Sequence, residues 1–174
     1  EYDGLGGGIM EMSIVVEELS KACGGIALAY AASGLGTMPI MLFGSEEQKK
    51  KYVTPVASGE LIGAYALTEP QSGSDAANMR TRAVLSDDGS HYVITGKKSW
   101  ITSGPVARYI VLFAMTDPAA GPKGVSAFII DPTIEPDAGC IDNMAGPNFA
   151  IPGQGGEITL EPYTSEAMGF SGVI

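Results

Sequence analysis

The sequence predicts an α+β fold in which helices come first and strands follow, in segregated layers and not in alternation. Three observations predict it. Apolar residues recur at helical spacing up to about residue 57, and at Gly59 the texture changes to short runs of β-branched and aromatic residues. Those runs are bounded by Gly, Pro and Asp turns. The division places residues 1–58 at the end of a helical domain and residues 59–174 in a β domain.

A flexible lead-in of Gly4, Gly6, Gly7 and Gly8 precedes a first helix, whose Ile9, Met12, Val15, Val16 and Leu19 form one apolar stripe. Glu11, Glu17, Glu18 and Lys21 supply its wet side. Gly24 and Gly25 are expected to end it. A second, largely buried helix then covers residues 26–43, in two pieces with a kink near Gly34–Gly36 or at Pro39. No charge falls between Ala22 and Ser45, a length sufficient to cross a bilayer. The Gly, Ser, Thr and Pro residues in it weaken its hydropathy, so the favoured reading is a bundle helix and no membrane span. Ser45-Glu46-Glu47-Gln48 has the form of a capping box opening a third helix over residues 46–57.

In the β domain, strands are predicted at 61–68, 80–85, 91–95, 97–102, 109–115 and 125–130. The second and third flank Asp87-Asp88-Gly89, the composition of a hairpin turn. Residues 117–124 and 132–152 read as Pro- and Gly-rich loop, and residues 156–162 as a closing strand.

The net charge of −10 argues against a nucleic-acid partner, because phosphate-backbone binding needs clustered Lys and Arg. Any phosphate recognition must then be local, through backbone N–H groups and a few side chains. Cys23 and Cys140 form neither a metal-ligand spacing nor a disulfide framework, which fits a reducing interior. The first residue is Glu1 and the chain closes on Gly-Val-Ile, so it is expected to be an internal piece of a longer protein.

Two segments carry chemistry. The first, Tyr65-Ala66-Leu67-Thr68-Glu69-Pro70-Gln71-Ser72-Gly73-Ser74-Asp75, is a strand running into a loop of small polar residues. Gly73 permits close approach of a ligand to the backbone, and N–H groups around Gly73 and Ser74 suit phosphate oxygens, although composition alone favours an ordinary Pro-Gly turn over a binding site. The second, Gly96-Lys97-Lys98-Ser99-Trp100-Ile101-Thr102-Ser103-Gly104, holds the single tryptophan. In a strand, Trp100 and Thr102 share a face that can lay an indole and a hydroxyl against a flat ligand, or simply form core and sheet.

Together these segments resemble the acyl-CoA dehydrogenase family, whose middle domain carries a Thr-Glu-Pro-x-x-Gly-Ser-Asp loop and a Trp-Ile-Thr strand. The resemblance runs from about residue 1 to 131, includes Gly44-Ser45-Glu46-Glu47-Gln48-Lys49, and fades beyond Asp131, where the family's arginine-bearing turn is missing. It implies an antiparallel, β-barrel-like middle domain, with the family's C-terminal four-helix domain missing.

The resemblance further implies FAD as cofactor, lined by Tyr65, Ala66, Leu67 and Thr68. Leu67 N–H and the Thr68 side chain would lie near the pyrimidine edge of the ring, and Gly73 and Ser74 at the pyrophosphate. Trp100, Ile101 and Thr102 would flank the ring, with Thr102 within reach of N5. Ser74 also matches the position that contacts the pantetheine side of an acyl-CoA substrate. The implied reaction is α,β-dehydrogenation to a trans-2-enoyl-CoA, with electrons passing to an electron-transfer flavoprotein and the parent a homotetramer, cytoplasmic or in the mitochondrial matrix. The catalytic base, a glutamate of the C-terminal domain, has no counterpart here, and the isolated piece is expected to be inactive. An acyl-CoA oxidase and an inert folding module are the alternatives. His91 and the Lys49–Lys51 run are read as surface groups, Arg80 and Arg82, alternating on a strand, as either phosphate contacts or surface, and the methionines at helical spacing as core.

Overall fold

The computed structural model describes residues 2–89 and 91–131, together with two short strands at 141–143 and 158–160. The predicted order of helices before strands holds. Helix α1 spans Ile9–Ala22, α2 spans Gly24–Phe43, and α3 (Glu46–Gln48) runs through a π-helical stretch, Lys49–Val53, into α4 (Thr54–Ala57). The capping box at Ser45 forms as predicted: Gln48 N–H donates to Ser45 Oγ at 3.2 Å, and Ser45 N–H donates to Gln48 Oε1 at 2.9 Å.

Helix α2 departs from expectation in two ways. It is unbroken through Gly34, Gly36 and Pro39, and it is only partly buried: Ala27, Ala32, Gly36, Thr37 and Ile40 are enclosed, whereas Ile26, Leu28, Tyr30, Leu35, Leu42 and Phe43 are exposed. By length and composition it is the one described helix able to cross a membrane. Its buried Gly36, Thr37 and Ile40 are the residues that meet the sheet. Gly34 faces α1, where an added Cβ would lie 3.0 Å from Met12 Sδ.

The strands are β1 Gly63–Ala66, β2 Arg82–Leu85, β3 Tyr92–Lys98, β4 Tyr109–Met115, β5 Val125–Ile130, β6 Ile141–Asn143 and β7 Ile158–Leu160. They form a sheet in the order β6-β5-β4-β2-β3-β7, with β1 also pairing to β4. Neighbours joined by short connections are antiparallel, as expected: β2 with β3 and β4 with β5, and also β5 with β6. The sheet is nevertheless mixed, because β1 and β4 pair in parallel, as do β2 with β4 and β3 with β7. A parallel pair needs a long crossover; here the β2–β3 hairpin supplies it between β1 and β4. Strand β6 lies within a stretch read from sequence as loop, and β7 within the predicted closing strand; the residues around them lie outside the described ones. The predicted hairpin turn forms, with Ser86 N–H donating to His91 O at 2.8 Å and Gly89 at φ +69°.

The sheet buries two clusters. One contains Ala64, Ala66, Ile94, Ile101, Leu112 and Phe128; the other joins Ile40 of α2 and Tyr52 and Val53 of the π-helical stretch to Tyr109, Val111 and Ile129. Alternation along β4 and β5 sends successive residues to opposite faces, which is how one sheet serves both clusters. The helix–sheet seam is close. Gly36 lies against Gly63, so that a Cβ on Gly36 would stand 2.7 Å from Gly63 C, and Thr37 Oγ1 is 3.2 Å from Tyr109 Oη.

Candidate functional site

Strand β1 ends at Ala66, and the chain then turns through the first motif. Glu69 and Ser72 close this turn with reciprocal backbone bonds, Glu69 N–H to Ser72 O at 3.0 Å and Ser72 N–H to Glu69 O at 3.1 Å. Ser72 Oγ donates to Asp75 O. Beyond the turn, Gly73 and Ser74 are exposed on its rim, and no neighbour stands where a Gly73 Cβ would point. Asp75 stands at the start of the short 3-10 turn that follows and places no side-chain bond on it.

The second motif is not a strand over its whole predicted length. Strand β3 stops at Lys98, and the separate strands predicted at 91–95 and 97–102 are a single strand followed by a turn. Trp100 and Ser103 have φ of +65° and +63°, the left-handed region disfavoured for residues with a Cβ, and Gly104 N–H closes the turn on Ile101 O at 3.0 Å. The shared face argued from strand alternation for Trp100 and Thr102 therefore has no strand to rest on. Burial sorts them: Trp100 is 62% exposed, Ile101 is in the core, and Thr102 is half-buried. A large aromatic held at the surface on strained backbone is an unusual use of the sole tryptophan of the chain.

The two motifs meet. Ser99 N–H donates to Thr68 O at 3.0 Å, and Ile101 shares a core cluster with Ala66. Between them lies a polar anchor that sequence reasoning missed. Lys98 Nζ is 2.9 Å from both Leu67 O and Glu69 Oε1, and both side chains of the ion pair are 1% exposed. Glu69 also accepts from Arg80 N–H at 2.6 Å, Thr81 N–H at 2.9 Å and the Gln71 amide at 2.5 Å. The signal was present: residues 94, 96 and 98 share one side of β3, so the inward residue Ile94 predicts an inward Lys98 that must find an acid.

Burial pushes the Glu69 carboxyl up, but the nearby Thr81 hydroxyl, the Arg80 N–H, the Lys98 ammonium and the Thr81 N–H outweigh it and hold the pKa down at about 2. Lys98 moves down from its ordinary value because burial outweighs the pull of Glu69. The asymmetry has a simple cause. Glu69 takes two backbone N–H groups besides the ammonium, whereas Lys98 faces one carboxylate and one carbonyl.

Of the other predicted residues, Tyr65 is half-buried with its ring 4.9 Å from that of Phe113, Ala66 is buried, and Leu67 and Thr68 are half-buried. His91 lies beside the hairpin turn, 4.0 Å from Asp88. Arg80 and Arg82 are exposed.

Comparison with known proteins gives the family. The family model for the acyl-CoA dehydrogenase middle domain matches residues 64–160, and that for the N-terminal domain of the same family matches residues 1–60. The chain belongs to the acyl-CoA dehydrogenase family. Among curated acyl-CoA dehydrogenases, the short-chain-specific enzyme of Clostridium acetobutylicum is 53% identical over 133 residues, covering 75% of this chain and 34% of that protein. The chain thus spans about a third of that relative's length. A chain in the structure of the electron transferring flavoprotein of Acidaminococcus fermentans superposes with a TM-score of 0.70 at 38% identity, over 87% of this chain and 43% of that one. The Bacillus anthracis acyl-CoA dehydrogenase complexed with FAD gives 0.66 at 40% identity, over 82% and 26%.

Proposed function

We propose that the protein, at its full encoded length, is an FAD-dependent dehydrogenase that converts an acyl-CoA thioester to the trans-2-enoyl-CoA. The observation that carries this reading is the meeting of the two motifs, joined backbone to backbone at Thr68 and Ser99 beside an exposed Trp100. Membership of the acyl-CoA dehydrogenase family and a relative complexed with FAD support it.

The residues suit a flat aromatic cofactor with a diphosphate. An indole already in solvent needs no core rearrangement to meet a ring, and the exposed Gly73 leaves space where a side chain would otherwise stand. In this reading Tyr65, Ala66, Leu67 and Thr68 line the isoalloxazine, with Leu67 N–H and the Thr68 hydroxyl as donors at the pyrimidine edge, where preorganised donors stabilise added charge. Gly73 and Ser74 hold the pyrophosphate, Ser74 also touching the pantetheine side of the substrate. Trp100 and Ile101 cover the ring and Thr102 donates near N5. When bound, FAD supplies the acceptor for the hydride leaving the β-carbon.

A base must take the α-proton, and no residue of this chain is assigned that task. Glu69 is excluded on physical grounds: enclosed, ion-paired and with a pKa of about 2, it is too weak a base and faces no open space. The base is assigned to a glutamate of the protein's C-terminal helical portion. Electrons pass to an electron-transfer flavoprotein, and the assembly is a homotetramer in the cytoplasm or mitochondrial matrix.

The purified full-length protein should show a flavin absorbance spectrum that bleaches anaerobically on adding saturated acyl-CoA thioesters, with enoyl-CoA as product. A protein purified without flavin that takes up none on incubation with FAD would overturn the proposal. Rapid oxygen consumption without any added acceptor would identify an oxidase instead.

A further inference from the structure

We propose that Lys98 is a positioning residue for the flavin loop: clamped by Glu69, its ammonium fixes and polarises the Leu67–Thr68 peptide, so that the Thr68 N–H becomes a preorganised donor to bound FAD. The inference rests on the flavin reading above and assigns the loop its internal support.

Three links hold the loop. Lys98 Nζ takes Leu67 O at 2.9 Å, Ser99 N–H takes Thr68 O at 3.0 Å, and Glu69 N–H is taken by Ser72 O at 3.0 Å. The peptides on both sides of Thr68 are thereby fixed. No cis bond occurs among the described residues, so in the planar trans peptide the Thr68 N–H points opposite to the carbonyl that faces Lys98. An ammonium on that carbonyl withdraws charge through the peptide and strengthens the N–H as a donor, as in any hydrogen-bonded chain.

Glu69 gives the ammonium its fixed place. Its carboxylate is itself tied to Arg80 and Thr81 N–H, on the segment leading into β2, so it cannot swing with the loop. Lys98 in turn is anchored by the β3 ladder just before the turn that carries Trp100. One cation thus couples the donor side of the loop to the aromatic side. A buried pair of this kind is a poor source of net stability, because desolvation consumes most of the Coulomb gain, so its usefulness lies in what it orients.

The test uses the full-length protein with Lys98→Met and with the double substitution Lys98→Met/Glu69→Gln. The single change strands a buried carboxylate and is expected to lower the melting temperature. The double change removes both charges and should restore much of it. In both variants FAD should dissociate roughly tenfold more readily, the scale of one lost neutral hydrogen bond. The absorbance envelope of the remaining bound flavin should also shift, and its reduction potential fall. If the double variant regains thermal stability together with wild-type FAD affinity, spectrum and potential, the pair is merely structural and the inference is overturned while the flavin reading stands. If the unsubstituted protein takes up no FAD, both are overturned.

Discussion

The Lys98 ammonium and the Glu69 carboxylate meet at 2.9 Å with both side chains 1% exposed, at the junction of the two segments that carry the site. The pair gives the fold a pH dependence whose sign is fixed. Glu69 has a pKa of about 2 in the folded chain against 4.5 ordinarily, so the folded state holds the carboxylate more strongly than the unfolded state does. Its contribution is complete above about pH 4.5 and is lost as pH falls toward 2. Full linkage on that shift is worth about 3 kcal/mol, which solvent near the surface loop reduces. Urea unfolding across this window should show stability falling with acid, and Glu69→Gln should flatten that slope while lowering stability at neutral pH.

Trp100 offers a cleaner separation of binding from folding. Its side chain is 62% exposed and its φ is +65°, so Trp100→Gly relieves backbone strain while removing the indole. Unfolding free energy should change by less than about 1 kcal/mol, because strain relief offsets the lost partial burial and added chain entropy. Retained FAD in the purified protein should drop clearly. Equal flavin content in Trp100→Gly and the unsubstituted protein would show that the indole has no part in holding it.

What the sequence revealed, and what it concealed, follows from the range of the interactions involved. The Ser45 cap, the Asp87-Asp88-Gly89 turn and the strands at 109–115 and 125–130 were legible because each is decided within a few residues. The continuity of α2 was not, because Gly34, Gly36 and Pro39 read locally as breakers. Gly36 instead serves close approach to β1 and stays helical under tertiary contact. The end of β3 was misplaced for a related reason. Ser99-Trp100-Ile101-Thr102 has strand composition, yet Ser99 spends its N–H on Thr68 and Ile101 turns into the core, which leaves Trp100 in the left-handed region. The Lys98–Glu69 anchor joins positions distant in sequence, and only the fold brings them together.

The Gly36–Gly63 contact should behave as a steric limit. A Cβ at Gly36 would lie 2.7 Å from Gly63 C and 2.8 Å from Ala64 N, both backbone atoms of β1 that cannot rotate away. Gly36→Ala improves helix propensity by about 1 kcal/mol but forces α2 off the sheet, with an overpacking cost of about 1–3 kcal/mol. The net expectation is a lower melting temperature. Gly34→Ala, facing the flexible Met12 side chain, should be neutral or stabilising in the same thermal-melt series.

Asp131 anchors the helical layer to the end of β5, and its partners predict an asymmetric response to substitution. Its carboxylate is 2% exposed and accepts from Arg108 Nη1 at 2.8 Å and Tyr52 Oη at 3.3 Å, with Lys51 Nζ at 3.7 Å. The Arg108 side chain, by contrast, is 37% exposed. Removing the aspartate's charge by Asp131→Asn leaves a guanidinium that can rehydrate, at a cost of about 1 kcal/mol. Arg108→Met removes the 2.8 Å guanidinium from a buried carboxylate, with Tyr52 Oη at 3.3 Å and Lys51 Nζ at 3.7 Å still beside it, at a cost of about 2–4 kcal/mol. The double variant Arg108→Met/Asp131→Asn should recover most of the difference, giving a coupling energy of about 1–2 kcal/mol in a double-mutant cycle measured by urea unfolding. If Asp131→Asn cost as much as Arg108→Met, the desolvation penalty would not be concentrated on the acid, and the exposure of the two groups would be the wrong guide to the energetics of this seam.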